Sequence, residues 1–174
     1  MPRTRNPPNK ANDMASVQQT AAPADFDFAF GNWTVRHRRL NRRLSGCTDW
    51  TEFLGTSTTR PILGGFGNLE DNVLEMPEGR YRAVAMRSFD VATQQWAIWW
   101  LDARQPHTLD VPVVGRFEGN VGLFFADDTL EGRSIKVRFT WDARDAKAPR
   151  WEQAFSADDG ATWETNWVMH FLPT

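Results

Sequence analysis

Residues 134–172 read "SIKVRFTWDARDAKAPRWEQAFSADDGATWETNWVMHFL". Ile135, Val137, Phe139 and Trp141 alternate with Lys136, Arg138 and Thr140, the period-two pattern of a strand with one buried and one wet face. "DARDAKAP" breaks that run with turn formers, and "RWEQAFS" begins a second strand. Asp158, Asp159 and Gly160 then supply a tight turn into a third strand, whose Trp163, Thr165, Trp167, Met169 and Phe171 are expected to share one face. Three strands joined by short polar loops make a meander.

The rest of the chain repeats the device. "VVGRFEG" and "VGLFFADD" form a hairpin over Glu118-Gly119-Asn120, and "QWAIWWLD" is the most apolar strand candidate. "RYRAVAMRSF", "LEDNVLEM" and the Thr- and aromatic-rich "TDWTEFLGTSTT" precede it, with "RPILGGFGN" read as a loop. "WTVRHRRL" places Trp33, Val35 and His37 on one face, after a short lead-in turn over "FDFAFGNW". These segments amount to about nine or ten strands and no amphipathic helix. The expected fold is all-β: a single closed antiparallel barrel of about eight to ten strands. Closure of a meander removes both exposed edges. Such a barrel is just wide enough inside for side chains plus one small ligand. A two-sheet sandwich is the alternative.

The 174 residues fit one domain. Residues 1–25 are rich in Pro, Asn, Ala and Gln and are expected to form a disordered tail, leaving 26–174 as the barrel domain. Arg3, Arg5 and Lys10 lack the apolar stretch of a signal peptide, Met14 offers an alternative start, and a cytoplasmic location is expected. No run approaches the ~20 apolar residues of a membrane helix. A net charge of −2 gives no basic field for nucleic acid. Cys47 stands alone, so no internal disulfide forms. Nine Trp and twelve Phe beside one Tyr mean that a few large rings can fill a wide interior.

Gly31-Asn32-Trp33, opening the first strand, resembles the Gly-x-Trp of lipocalins and their calycin relatives, in which the Trp plugs one end of the barrel. Over roughly Phe26–Phe171 the stretches "FDFAFGNWTVRHRRL", "QQWAIWWLDAR", "GRFEG" and "RWEQAFSADDGATWETNWVMHF" are similar to a bacterial family of uncharacterised lipocalin-like barrels. The resemblance implies a fold and brings no reaction or catalytic residues. Ser156–Trp163 also matches the Asp-box of sialidase propellers. A six-bladed propeller at about 40–45 residues per blade does not fit this chain, so the motif is read as a hairpin turn.

"RHRRLNRR" gathers Arg36, His37, Arg38, Arg39, Arg42 and Arg43. Guanidinium clusters bind phosphates, but strand alternation splits this one between two faces, and it is read as a solvated hairpin paired to nearby acids. His170 invites a haem reading by analogy with nitrobindins, yet it shares a side with Glu164, Asn166 and Val168, away from the expected interior. No cofactor is therefore expected. His37 and His107 are not spaced for a shared metal site, and no nucleophile elbow or phosphate loop is present. Asp127-Asp128 and Asp158-Asp159 read as turn acids.

The candidate cavity lining is Trp33, Trp99, Trp100 and Trp167 as walls, with His37, Asp102, Arg116 and Gln153 to orient a ligand; Arg116 is expected to pair with Asp102 or a neighbouring acid. The functional expectation is a small, mostly apolar ligand held in the cavity. Alternatives are a slow isomerase or cyclase with His37 or Asp102 as proton shuttle, or a filled core acting through its surface, for instance as a homodimer.

Overall fold

Alternation in the sequence becomes alternation of faces in ten strands. The computed structural model describes residues 21–174. Most of the expected tail, with Met14, lies outside the described residues. The strands are β1 (Gly31–Leu40), β2 (Trp50–Ile62), β3 (Gly67–Met76), β4 (Gly79–Asp90), β5 (Gln95–Asp102), β6 (Val113–Glu118), β7 (Val121–Leu130), β8 (Arg133–Asp142), β9 (Arg150–Ser156) and β10 (Glu164–Pro173). Each pairs antiparallel with the next, and β1 pairs with β10 over Arg39↔Trp167 to Trp33↔Pro173, closing the barrel. The fold is thus the expected all-β barrel and not a sandwich. The helical content of the described residues is two 3₁₀ turns, Asp27–Ala29 and Leu63–Gly65, and no helix there is long and apolar enough to cross a membrane.

Two expectations are corrected. "RPILGGFGN" is not all loop: β2 runs on through Arg60 and Pro61, which oppose Leu69 and Asn68, and the turn is confined to Leu63–Gly65. Trp163 does not share a face with Trp167. The β9–β10 register shifts between Thr165 and Trp167, and a bulge of this kind re-aims the residues before it. Trp163 packs against Phe125 at 6.1 Å and under the Arg138 guanidinium at 4.5 Å, both on the outer surface.

One end of the barrel is shut by the lead-in segment. The Phe26 ring meets Trp96, Phe117, Phe124 and Trp141 at centroid distances of 4.9–6.1 Å, mostly edge to face. Asp25, assigned to the tail, accepts a hydrogen bond from the Trp96 indole at 2.9 Å, and the Trp33 indole donates to the Ala29 carbonyl at 3.0 Å. Below this plug lies a polar layer. Glu70 and Arg87, each 2% exposed, form a buried ion pair. Ser57 donates to Glu70 at 3.0 Å, and Arg87 donates to Asn68 at 2.7 Å while its guanidinium lies over the Phe26 and Trp141 rings. The opposite end, between the β1–β2 loop, the β5–β6 loop and the turn after β9, is the mouth.

Candidate functional site

Below the polar layer the inward rings leave a chamber of about 30 Å³, lined by Glu70, Ala85, Arg87, Ile98, Trp100, Phe139, Trp141, Trp151 and Met169, with Trp99 adjoining it. β4 and β5 hold Ala85 opposite Trp100, and β8 and β9 hold Trp141 opposite Trp151, so these strands set the width of the chamber. Trp151 stands edge-on to Phe139 at 4.8 Å and to Trp167 at 5.5 Å, and Trp100 edge-on to Trp167 at 5.7 Å. Two donors among the lining residues, Arg87 Nε and Trp141 Nε1, are buried with no acceptor among the described residues. Asn68 Nδ2, in the same polar layer, shares that condition. A buried unmatched donor costs about 1–3 kcal/mol, which makes this a place where an acceptor oxygen binds favourably.

Trp167 connects the chamber to the mouth. Its indole N–H donates to His37 Nδ1 at 3.2 Å, and His37 lies stacked on Phe53 at 4.6 Å. Burial, reinforced by the charge of Arg39, pushes the His37 pKa down to about 3. His37 is therefore neutral near pH 7, with Nδ1 occupied as an acceptor, and is a weak base for proton transfer. Above Trp167 stands the Arg39 guanidinium, 4.8 Å from the ring centroid. Gln153 faces inward opposite Trp167 and Phe139 and donates to Asn166 Oδ1 at 2.7 Å.

The anticipated site residues thus divide. Trp100, Trp167, His37 and Gln153 converge on the interior. Trp99 and Trp100 adjoin the chamber at consecutive positions of β5, where the pleat turns successive side chains to opposite faces. Of the two it is Trp100 that reaches Trp167, whereas Trp99 sits opposite Met86 on the other face. Trp33 belongs to the shut end, 6.1 Å from Phe171. Asp102 lies at the mouth. Burial raises its pKa, but the hydrogen bonds from the Arg104 side chain and backbone outweigh that and leave it below the usual carboxylate value. Arg116 is exposed on the outside, because Gly115 and Phe117 take the inward positions of β6. The expected Asp102–Arg116 pair does not exist; Arg104 takes its place at 2.6 Å.

His170 is exposed on the outer face of β10, opposite Arg36. No group of His, Cys, Asp and Glu among the described residues is arranged to hold a metal ion. The Ser156–Trp163 stretch is a self-bonded turn. Asp158 accepts from the Ser156 hydroxyl at 2.7 Å and from the Thr162 backbone at 2.8 Å, and these bonds with that of the Thr162 hydroxyl, the strongest influence, hold its pKa at about 2.

Sequence reading did not single out Glu70, Arg87 or Trp141 as site residues. A signal existed for Arg87, which interrupts the inward row Tyr81, Ala83, Ala85, Phe89 and so puts a charge in line with a core face. Glu70 carried none, since "LEDNVLEM" is polar on both faces. No protein-family model matches the chain, and no curated protein matches it.

Proposed function

We propose that the barrel binds a small, flat, mostly apolar molecule with an acceptor oxygen at its inner end, entering from the mouth and resting among Trp100, Phe139, Trp151 and Trp167. The observation that supports this reading is the pair of buried donors, Arg87 Nε and Trp141 Nε1, on a chamber whose other lining, Glu70 apart, is aromatic and aliphatic. Aromatic walls with a few fixed polar groups are the usual composition of a ligand site. Because Glu70 already neutralises Arg87, a neutral carbonyl or ether oxygen suits the floor better than an anion. About 30 Å³ accommodates only a water-sized group, so the tip of the ligand occupies the chamber while its body displaces the half-buried Trp100 ring. This reading includes a lipocalin-like, calycin-type kinship, from Gly31-Asn32-Trp33, and action in the cytoplasm.

The test is calorimetric titration with naphthalene-2-carboxamide, a flat apolar probe with one carbonyl, against the full chain and against Ala85→Val. Saturable one-to-one binding that disappears in a folded A85V, whose extra methyls fill the chamber, supports the proposal. Equal binding to both proteins, or binding to neither, contradicts it.

A further inference from the structure

The arginine run separates cleanly by face, and two of its members meet at the mouth. Arg36 and Arg38 are outside, Arg38 bonded to Glu52 at 3.0 Å. Arg39 lies over Trp167 and reaches the Met76 sulfur at 3.9 Å. Arg43, from the β1–β2 loop, lies 5.6 Å above the Phe155 ring, with its Nε buried and without an acceptor among the described residues. Both arginines line one cleft of about 330 Å³, with Thr51, Met76 and Glu78 on its walls. Among the described residues neither forms an ion pair.

Two partly buried guanidiniums side by side repel each other, and the mouth does not neutralise them from within. Burial and then the charge of Arg39 bring the Arg43 pKa down to about 10, against the weaker pull of Tyr81, Asp110 and Glu164. The neighbouring acids are otherwise engaged. Asp102 is held by Arg104, and Glu164 accepts from the Leu44 backbone at 2.6 Å. Burial, with the charges of Asp128 and Asp102, pushes the Asp110 pKa up and so weakens its anionic form. Glu78 remains as the exposed acid of the cleft.

We infer that Arg39 and Arg43 form the recognition site for a carboxylate on the ligand of this barrel, which makes that ligand an apolar carboxylic acid with its acid group at the mouth and its neutral acceptor oxygen at the inner end, toward Arg87 and Trp141. The inference rests on the interior-binding reading, and it names the substrate class of the same site. Guanidinium forks match a carboxylate in two-point geometry, and Trp167, directly under Arg39, joins the acid site to the Trp100 and Trp151 walls.

The experiment compares 6-methoxy-2-naphthoate, whose ether oxygen serves the inner end, with its neutral isostere 6-methoxynaphthalene-2-carboxamide, by calorimetry and by the indole N–H signals of the folded full chain. Wild type should bind the acid about ten- to hundredfold more tightly than the amide, the span expected for charge-assisted hydrogen bonds. Arg39→Gln and Arg43→Gln should abolish that preference, Arg39→Lys should restore part of it, and Arg36→Gln on the outer face should leave it intact. Equal affinity for acid and amide, or a preference that survives both glutamine variants, overturns the carboxylate site while leaving interior binding in place. Acid binding that depends on Arg39 and Arg43 but moves only the Trp167 signal, leaving Trp100 and Trp151 still, upholds the anion site and removes the interior reading. Binding of neither probe overturns both.

Discussion

His37 shows at residue scale how environment decides chemistry. Its imidazole is buried, accepts from Trp167 and ionises near 3, against 6.5 for a free histidine. Below pH 6.5 the unfolded chain therefore binds a proton that the folded chain refuses. Stability is fully present above that value and falls as pH drops toward 3. Between pH 7 and pH 5 the His37 contribution to stability in denaturant unfolding should fall by about 2 kcal/mol. His37→Gln, which keeps an acceptor for the Trp167 indole, should flatten this slope more than His170→Gln, whose imidazole is also held below its ordinary value by partial burial and the charges of Arg150 and Arg36. A slope unaltered in H37Q would show that His37 is not buried neutral. The two Asp-Ala-Arg turns repeat one geometry: Asp102 with Arg104 and Asp142 with Arg144 each join carboxylate and guanidinium at two points. In the sequence Asp142 reads as part of a polar turn and Asp102 as a strand residue facing the cavity; neither reading reveals the arginine two residues on that holds each carboxylate, so the expected Arg116 pair gives way to Arg104.

At the scale of elements, close approach matters as much as alternation. Gly55 on β2 faces the interior where the His37 ring crosses it. A Cβ there would lie 2.5 Å from the Val73 carbonyl oxygen and 2.7 Å from His37 Nε2. Gly55→Ala should cost about 1–3 kcal/mol in urea unfolding, the usual range for overpacking; a neutral substitution would mean that β1 and β2 are looser than described. Alternation in "SIKVRFTW" was legible because its two faces differ in every residue, and Ile135, Val137, Phe139 and Trp141 do point inward. It was not legible in "VVGRFEG", where each face carries a valine and the inward row contains a glycine. Nor could it follow the β10 bulge, since one inserted residue reverses the facing of Trp163 without altering composition. Arg43 sits in a loop, where no periodicity exists to locate a side chain.

For the whole molecule, closure of ten strands around bulky rings creates an interior in three tiers: an aromatic plug, the Glu70–Arg87 layer, and a small chamber on the mouth side of that layer. The middle tier is costly to disturb. Glu70→Gln leaves the Arg87 guanidinium buried without its counterion and should destabilise the barrel by about 3–5 kcal/mol in thermal or denaturant unfolding. The double variant Glu70→Leu with Arg87→Met should recover most of that loss, and a double variant as unstable as E70Q alone would contradict this view of the layer. Closure and the inward rings were readable from strand number and composition; the polar tier was not, because it arises only when residues from β2, β3 and β4 meet across the sheet. The most direct measurement of the central claim maps the nine tryptophan indole signals during titration with naphthalene-2-carboxamide. Saturable shifts of Trp100, Trp141 and Trp151, with the outer Trp163 unmoved, are the predicted result. Absence of any saturable shift, or shifts confined to Trp163 and other outer rings, would mean that the barrel is filled by its own side chains and holds no ligand.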